Sequence, residues 1–141
     1  MKIRTANKKD IKEIVKLINS AEELRETKKS KHDIKYISSH INNPMHQIYI
    51  CEENNKIIGV LTAEVWKDKK YGFVSNIIMN KKFRKKGIGS LLFNKFEKYC
   101  KAKKFRKITF LTKISNKKMQ KWSEKKGYKK GDSFYFYKKD L

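Results

Sequence analysis

Two glycines separated by one residue, Gly87 and Gly89, follow three basic residues in the run from Arg84 to Ser90. An apolar segment ends at Met79 just before this run, and a segment of helical periodicity starts within it. The first N–H groups of a helix have no internal partner and lie at the positive end of the helix dipole. A diphosphate suits that geometry, and glycines let its oxygens approach the backbone. The run therefore predicts a pyrophosphate-binding turn.

The spacing of these glycines distinguishes the turn from two better-known phosphate-binding loops. A Walker loop needs four residues between its glycines and then Gly-Lys-Ser/Thr, and a dinucleotide-binding fingerprint needs three glycines. Neither pattern is present in the run from Arg84 to Ser90. A pair of glycines also occurs in an ordinary strand-to-helix turn, and this alternative stays open on these residues alone.

The periodicity of the chain predicts the elements that must position this turn. Hairpins join the middle strands, and helices connect the elements at both ends. The predicted elements are a strand at Ile3, helices after Asn7 and Ser30, strands 47–52, 57–66 and 71–79, a helix at 86–103, a strand at 107–112, a helix from Ser115 to Gly127, and a last strand or hairpin containing 134–137. The order β-α-α-β-β-β-α-β-α-β predicts one α/β domain over residues 1–141. Its sheet should be mixed, mostly antiparallel and twisted, with helices on both faces.

Local signals support several of these boundaries. Asn7 followed by Asp10 predicts a capping box, Asn54-Asn55 predicts a turn between strands, and Gly127 predicts a helix C-terminus. In the helix after the glycine turn, the residues predicted to face inward are Ile88, Leu91, Leu92, Phe96, Tyr99 and Cys100.

The net charge of +23 raises the question of nucleic-acid binding. Only four of the 37 basic residues are arginine, and the lysines are spread through every segment. Surfaces that grip phosphate or read bases favour the planar fork of arginine. We interpret the charge as a solvated lysine surface and expect no specific nucleic-acid partner.

Other features limit the location and the metal chemistry. No apolar run approaches the roughly 20 residues that a membrane span needs, no signal peptide precedes the first element, and Cys51 and Cys100 lie in apolar segments outside any pair motif. These features favour a cytoplasmic protein with reduced thiols. His32, His40 and His46 lack metal-ligand spacing, so we predict no metal site and assign them to surface or partly buried positions.

The run Arg84-Lys85-Lys86-Gly87-Ile88-Gly89 resembles the Arg/Gln-x-x-Gly-x-Gly/Ala signature of the GNAT superfamily of N-acetyltransferases. Asn116 and Gly127-Tyr128 are similar to the Asn…Gly-Phe/Tyr pattern of that family, and the predicted order of elements is also the family's order. The resemblance implies acetyl-CoA as co-substrate and transfer of its acetyl group to a primary amine.

The resemblance also implies roles for individual residues. The strand before the turn would pair through its backbone with the pantetheine arm of CoA, and a bulge there would open a slot for the arm. The turn would hold the pyrophosphate through main-chain N–H groups, and the last helix would supply one more contact. The implied cofactor-binding residues are Ile77, Ile78, Met79, Arg84, Lys85, Lys86, Gly87, Ile88, Gly89, Ser90 and Asn116.

The usual catalytic groups of the family cannot be carried over. Ser75 and Asn76 occupy the positions where many members keep a carboxylate base, and Ser123 stands where many keep a tyrosine acid. The catalytic residues are therefore unassigned, with Ser123 and Glu64 as weak candidates. Positioning alone can lower the barrier by several kcal/mol, about 7–11 in favourable cases. Without a base, the free amine would come from solution.

The acceptor side holds a local acidic group. In the family, the loop between the first two helices borders the amine, and here it contains Glu22, Glu23 and Glu26. This group could attract a cationic acceptor such as a polyamine, an amino sugar or a peptide amine. Pairing with the neighbouring Arg25, Lys28 and Lys29 is an equally good account.

We therefore predict an acetyl-CoA-dependent N-acetyltransferase that works by direct attack of an amine in a ternary complex. A CoA-binding module of the same fold without turnover is one alternative, and a basic nucleic-acid or ribosome-associated protein is another. The amine-bearing acceptor is the expected partner, no membrane partner is expected, and a homodimer is compatible with the sequence.

Overall fold

Five strands and four helices make up the computed structural model, which describes residues 1–21 and 34–141. The strands are β1 Lys2–Thr5, β2 His46–Glu53, β3 Lys56–Trp66, β4 Tyr71–Met79 and β5 Lys107–Phe110; the helices are α1 Ile11–Ser20, α2 Ile34–His40, α3 Ile88–Ala102 and α4 Lys117–Lys125. Strands β1 to β4 pair antiparallel in chain order, and β5 pairs parallel with β4. The predicted α/β fold with a mixed, mostly antiparallel sheet is confirmed.

The chain divides into two compact units, Met1–Phe110 and Leu111–Leu141. The first unit holds the sheet with α1, α2 and α3, and the second holds α4. The prediction of one domain over residues 1–141 is not tested by this division and stays a prediction.

The prediction of a last strand or hairpin at residues 134–137 is wrong. Residues 134–137 have no regular secondary structure, and their aromatic side chains are between 77% and 88% exposed. A strand needs the backbone of a neighbouring strand as hydrogen-bond partner, and the unit Leu111–Leu141 contains no strand. The alternation of the sequence was therefore not sufficient to form one.

The two faces of the sheet carry different helices because side chains alternate along each strand. One face packs against α1 and α2 in a cluster that includes Ile14, Ile18, Ile37, Ile48, Ile50, Val60 and Ile78. The other face packs against α3, where the rings of Tyr49 and Phe96 lie 6.4 Å apart. Helices therefore lie on both faces of the sheet, as predicted.

Helix α3 lies very close to the sheet. A Cβ added at Gly72 would lie 2.8 Å from the ring of Phe96, and one at Gly59 would lie 3.0 Å from the Ile88 side chain. The prediction of its inward face was correct for most positions, but Leu91 is 41% exposed. Phe93 is fully buried instead, and the sequence prediction of the inward face did not include it. Because α3 begins at Ile88 and packs through Leu92 and Phe96, the buried stripe passes through position 93 rather than 91.

The predicted turn and cap signals are present. Asn7 and Asp10 form a complete capping box, and Asn54 and Asn55 both adopt positive φ in the hairpin between β2 and β3. Gly127, at φ 89°, follows Lys126, the C-cap of α4, and the bonds from its own N–H and from the next N–H close the helix as a Schellman motif. Ser30, the predicted cap of α2, lies outside the described residues.

An ion-pair network joins β1, β2 and the first turn. The Arg4 guanidinium donates to both carboxylate oxygens of Asp10 at 2.7 and 2.9 Å and to those of Glu52 at 3.0 and 3.2 Å. Asp10 is buried and also accepts from the Asn7 N–H at 2.8 Å. Hydrogen bonds from Arg4 hold the pKa of both carboxyl groups below their ordinary values.

Removing the cation of this network should destabilise the fold. We expect Arg4→Met to lower the free energy of unfolding by about 2–3 kcal/mol, because it leaves the buried Asp10 carboxylate without its partner. A lowered folded pKa stabilises the protein above the unfolded value, roughly pH 4, and the stabilisation is lost as the pH falls through the folded pKa. The loss on substitution should therefore be largest near pH 7 and shrink in acid.

The matched control is the exposed pair between Lys130 and Glu124, 3.5 Å apart. Lys130→Met should change stability by no more than about 0.5 kcal/mol. Urea unfolding of both variants at several pH values measures the difference. Equal effects of the two substitutions would show that the Arg4 network is no more stabilising than a surface pair.

Candidate active site

The glycine turn has a defined backbone geometry. After β4 ends at Met79, the Asn80 side chain accepts the Lys82 N–H at 3.0 Å and caps a single 3-10 turn. The chain then passes through positive φ at Lys85 and at Gly87, with values of 64° and 77°. Helix α3 begins at the next residue, two positions later than the sequence predicted.

The start of α3 is open to a ligand. The first hydrogen bond of the helix runs from the Leu91 N–H to the Gly87 carbonyl at 3.1 Å, so the N–H groups of Ile88 and Gly89 lie ahead of the helical ladder. A Cβ at Gly87 would meet no atom within 4 Å. A Cβ at Gly89 would make only ordinary contacts with the Met79 side chain at 3.5 Å. These positions leave room for an anion beside the backbone.

Basic side chains surround this opening. Arg84, Lys85 and Lys86 are exposed, and the Lys86 ammonium lies 5.1 Å from the centre of the Phe83 ring. That cation–π contact orients one positive charge at the edge of the turn. The charge and the open N–H groups together fit a diphosphate.

Strand β4 contains a bulge at Ser75. Thr62 pairs with Asn76 and Ala63 pairs with Val74, which leaves Ser75 without a partner across β3. One extra residue reverses the alternation of all later side chains. Beyond the bulge, the side chain of Ile77 lies on the α3 face, 3.6 Å from where a Gly89 Cβ would be, while Ile78 enters the α1–α2 core.

The pairing of β4 with β5 also ends at this bulge. The parallel ladder runs from Tyr71 with Lys107 to Val74 with Phe110 and goes no further. The edge of β4 from Ser75 to Met79 is therefore not paired with β5. The family resemblance implied a bulge that splays this strand from its neighbour, and the structure has a bulge at Ser75 and an end of the β4–β5 pairing at the same point.

An open cavity lies on the opposite face of β4, beneath α1 and α2. Its empty volume, which includes space that is open to solvent, is about 340 Å³. Its lining residues come from two helices and three strands: Ile18, Tyr36, Ile37, His40, His46, Ile48, Thr62, Ala63, Glu64, Ser75 and Asn76. The cavity thus brings together the family base positions, Ser75 and Asn76, and the weak candidate Glu64.

Hydrogen bonds connect the side chains of Ser75 and Asn76 on β4 to Thr62 on β3. Ser75 Oγ donates to the Thr62 carbonyl at 3.0 Å and lies 3.1 Å from Thr62 Oγ1. Asn76 Nδ2 donates to the same Thr62 Oγ1 at 3.1 Å. These bonds fix the bulge, but neither Ser75 nor Asn76 is a group that takes up a proton near neutral pH.

Two histidines in this cavity were assigned by sequence to unremarkable positions. The His40 and His46 rings lie 4.0 Å apart in an edge-to-face arrangement, and His46 stands directly across from Glu64 in the β2–β3 register. Burial lowers the pKa of His46, the neighbouring His40 lowers it further, and Glu64 raises it. The alternation of β2 and β3 could have placed His46 and Glu64 on the face of Ile48, but it carried no sign that a helix would leave a cavity there.

The other residues that the sequence assigned to the site lie either in the unit Leu111–Leu141 or outside the described residues. Asn116, rather than Ser115, caps α4, since its side-chain oxygen accepts the Met119 N–H at 3.1 Å. Ser123 is buried and donates its hydroxyl to the Met119 carbonyl at 2.6 Å, so that proton is held inside the helix. The acidic loop residues Glu22, Glu23 and Glu26 lie outside the described residues.

The chain matches the acetyltransferase (GNAT) family over residues 11–128. No curated protein sequence matches it. It belongs to the GNAT family, whose co-substrate is acetyl-CoA, and it is an acetyl-CoA-dependent acetyltransferase.

Several solved structures have the same fold. An aminoglycoside acetyltransferase from an uncultured soil metagenomic sample, in complex with sisomicin, is 15% identical with a TM-score of 0.81, covering 99% of this chain and 96% of its own. The aminoglycoside N-acetyltransferase AAC(6')-Iy in complex with CoA is 18% identical with a TM-score of 0.81, covering 99% and 100%. A possible acetyltransferase from Clostridium difficile 630 is 20% identical with a TM-score of 0.76, covering 99% and 98%. At these identities the likeness establishes the fold.

Within residues 1–21 and 34–141, no group of three His, Cys, Asp or Glu side chains is placed to hold a metal ion. No helix in the same part of the chain has the length and apolar character to cross a membrane.

Substitution of Gly87 tests the glycine turn. Gly87→Asn should keep the left-handed backbone, which asparagine tolerates, while adding a side chain where phosphate must approach. We expect acetyl-CoA affinity to fall at least tenfold. Arg84→Ala should cost less, because main-chain N–H groups provide most of the contacts in a site of this type.

Gly127→Asn is the matched control, since Gly127 also has positive φ and no atom within 4 Å of its absent Cβ. It should have a similar small effect on stability and leave affinity unchanged. Calorimetric titration with acetyl-CoA measures all three variants. A larger loss for Arg84→Ala than for Gly87→Asn would contradict a site built mainly from backbone.

Proposed function

We propose that this protein transfers the acetyl group of acetyl-CoA to a primary amine by direct attack in a ternary complex. The observation that carries the proposal is the bulge at Ser75, because β4 contributes to two sites on opposite faces of the sheet. Ile77 and Met79 lie beside the start of α3, whereas Asn76 lines the cavity. A thioester held along β4 would therefore end beside the amine cavity.

Direct attack is supported by the state of the two cysteines. Cys51 and Cys100 are both free and buried. Burial raises the pKa of Cys51, and it raises the pKa of Cys100 to about 12. A buried protonated thiol is a poor nucleophile, and neither cysteine lines the cavity. An acetyl-cysteine relay is thus disfavoured.

The residues proposed to hold acetyl-CoA in the first unit form two groups, and the family resemblance implies a role for Asn116 as well. The backbone of β4 at Ile77, Ile78 and Met79 would pair with the pantetheine arm, because this edge is not paired with β5. The turn from Arg84 to Ser90 would bind the pyrophosphate. Asn116 would add a contact through its amide nitrogen, since its oxygen already caps α4.

The acceptor proposed for this site is a cationic amine. Glu64 supplies negative charge to the cavity wall, and Tyr36 and the histidines supply polar ring edges. The acidic residues Glu22, Glu23 and Glu26 stay part of this proposal as acceptor contacts. Polyamines, amino sugars and peptide amines all carry the charge that such a wall would attract.

A CoA-binding module without turnover is the second candidate. The observation that favours it is the engagement of Ser75 and Ser123, whose hydroxyls both donate to backbone carbonyls. Neither then serves as acid or base. Turnover is the property that separates the two candidates.

We propose a cytoplasmic location because Cys51 and Cys100 are both free thiols and both buried. A single domain over residues 1–141, with a homodimer as a compatible assembly, completes the proposal. Light scattering of the purified chain measures the assembly directly.

Acetyl-CoA should stabilise the protein, and the protein should release free CoA thiol with a suitable amine. At 100 times the dissociation constant, binding adds about 2.7 kcal/mol, which raises Tm by roughly 5–10 °C in a protein of this size. NAD and ATP should raise it much less. Thiol release is measured with spermidine, sisomicin and a lysine-containing peptide as acceptors.

The outcomes distinguish the candidates. A Tm shift with thiol release supports the transferase, and a Tm shift without release from any of the three amines supports the binding module. No shift at millimolar acetyl-CoA would refute both.

A further inference from the structure

We propose that His46 is the general base of this acetyltransferase, taking the proton that the acceptor amine loses as it attacks the thioester. The inference rests on the proposed function and supplies the proton acceptor that is missing at Ser75 and Asn76. It starts from the position of His46 at the beginning of β2, on the sheet face that lines the amine cavity.

The geometry places His46 across the cavity from the bulge. His46 on β2 pairs with Glu64 on β3, and Thr62, two residues earlier on β3, pairs with Asn76 on β4. With strands about 4.8 Å apart and an offset of two residues, about 6.6 Å, along β3, the Cα atoms of His46 and Asn76 lie roughly 12 Å apart on one face. An amine head fits between them, within reach of an imidazole directly or through one water.

The surroundings of His46 hold the ring in place without occupying its nitrogens. The ring packs edge-to-face on His40 at 4.0 Å between centroids. Among the described residues, no hydrogen bond to either His46 nitrogen is present, so one nitrogen is left to accept a proton. Its ring is half-buried between helix α2 and the sheet, which restricts its motion.

His40 is fixed in turn by its own helix. Its Nδ1 lies 2.6 Å from the Tyr36 carbonyl and 3.1 Å from Ser39 Oγ. A carbonyl only accepts, so Nδ1 carries the hydrogen and donates it. The Tyr36 ring packs on the same imidazole at 4.3 Å between centroids. His40 is therefore a positioning residue, held rigid beneath the ring of His46.

The charges that face His46 tune it for this role. Burial and His40 on α2 lower its pKa, Glu64 on β3 raises it, and Tyr36 on α2 adds a polar but uncharged ring. The net effect lowers the pKa of His46 from its ordinary value. The imidazole is then mostly neutral at pH 7 and ready to accept a proton, while Glu64 favours the imidazolium once it forms.

The ammonium form of the acceptor first loses one proton to solvent through His46, and the free amine nitrogen then bonds to the thioester carbonyl carbon and gives its next proton to the neutral His46. The carbon–sulfur bond breaks, and sulfur leaves with the electron pair as a thiolate, which is protonated from solvent. The His46 imidazolium then returns its proton to solvent. The products are an acetamide and free CoA.

The experiment measures kcat/KM against pH by thiol release, with whichever of spermidine, sisomicin and the lysine peptide is turned over. The wild-type profile should rise to an inflection below pH 6.5 and then level, matching the titration of His46 followed by NMR. His46→Gln should lose that inflection and lower kcat about 100-fold at pH 7, while acetyl-CoA affinity stays unchanged. Its deficit should shrink at high pH, where free amine is abundant.

Neighbouring variants separate a base from a structural residue. Glu64→Gln should move the inflection to lower pH and His40→Gln should move it to higher pH, because the two groups shift the His46 pKa in opposite directions. His46→Ala should regain activity with added imidazole. Met45→Gln is the control, since Met45 is the exposed neighbour of His46 and does not line the cavity; it should keep wild-type kinetics.

Each failure has a distinct meaning. An active wild-type enzyme with an unchanged pH profile in His46→Gln would overturn the assignment of the base and leave the transferase intact. Folded His46→Ala that imidazole does not rescue would overturn it as well. A wild-type protein that acetylates none of the three amines would overturn the proposed function and the base together.

Discussion

The bulge at Ser75 is the constraint on which the rest of the site depends. One residue without a cross-strand partner turns the later side chains of β4 over, so that Ile77 reaches the start of α3 and Ile78 enters the α1–α2 core. The same point ends the pairing with β5 at Val74. A single backbone irregularity thus creates an unpaired strand edge and joins two faces of the sheet. Hydrogen bonds centred on Thr62 hold it in place.

The two ends of this strand provide opposite electrostatic environments. Beyond Met79, backbone N–H groups and exposed basic side chains surround an opening that suits phosphate oxygens. On the cavity side, Glu64 and the half-buried His46 suit a cationic amine. Because the sheet separates the two environments, the anionic end of acetyl-CoA and the proposed cationic acceptor would bind without competing. The net charge of +23 therefore says little about the chemistry of the site.

Stability and function use separate groups in the first unit. The Arg4 network joins β1, β2 and the first turn by charge-assisted bonds; its residues lie far in sequence from the glycine turn and do not line the cavity. Close approach at Gly59 and Gly72 lets α3 lie against the sheet, which presents its N-terminus beside the end of β4. The position of the glycine turn is thus set by packing that lies elsewhere along the helix.

The sequence by itself determined the features that depend on local spacing: the order of elements through α4, the capping box at Asn7, and the glycine turn with its family resemblance. Positive φ at Gly87 and helix start signals are local properties, so nearby residues specify them. The tertiary structure alone decided that residues 134–137 form no strand, because a strand requires a partner. It also brought His40, His46 and Glu64 into one cavity. Burial and strand pairing between distant segments, rather than residue spacing, set the properties of those side chains.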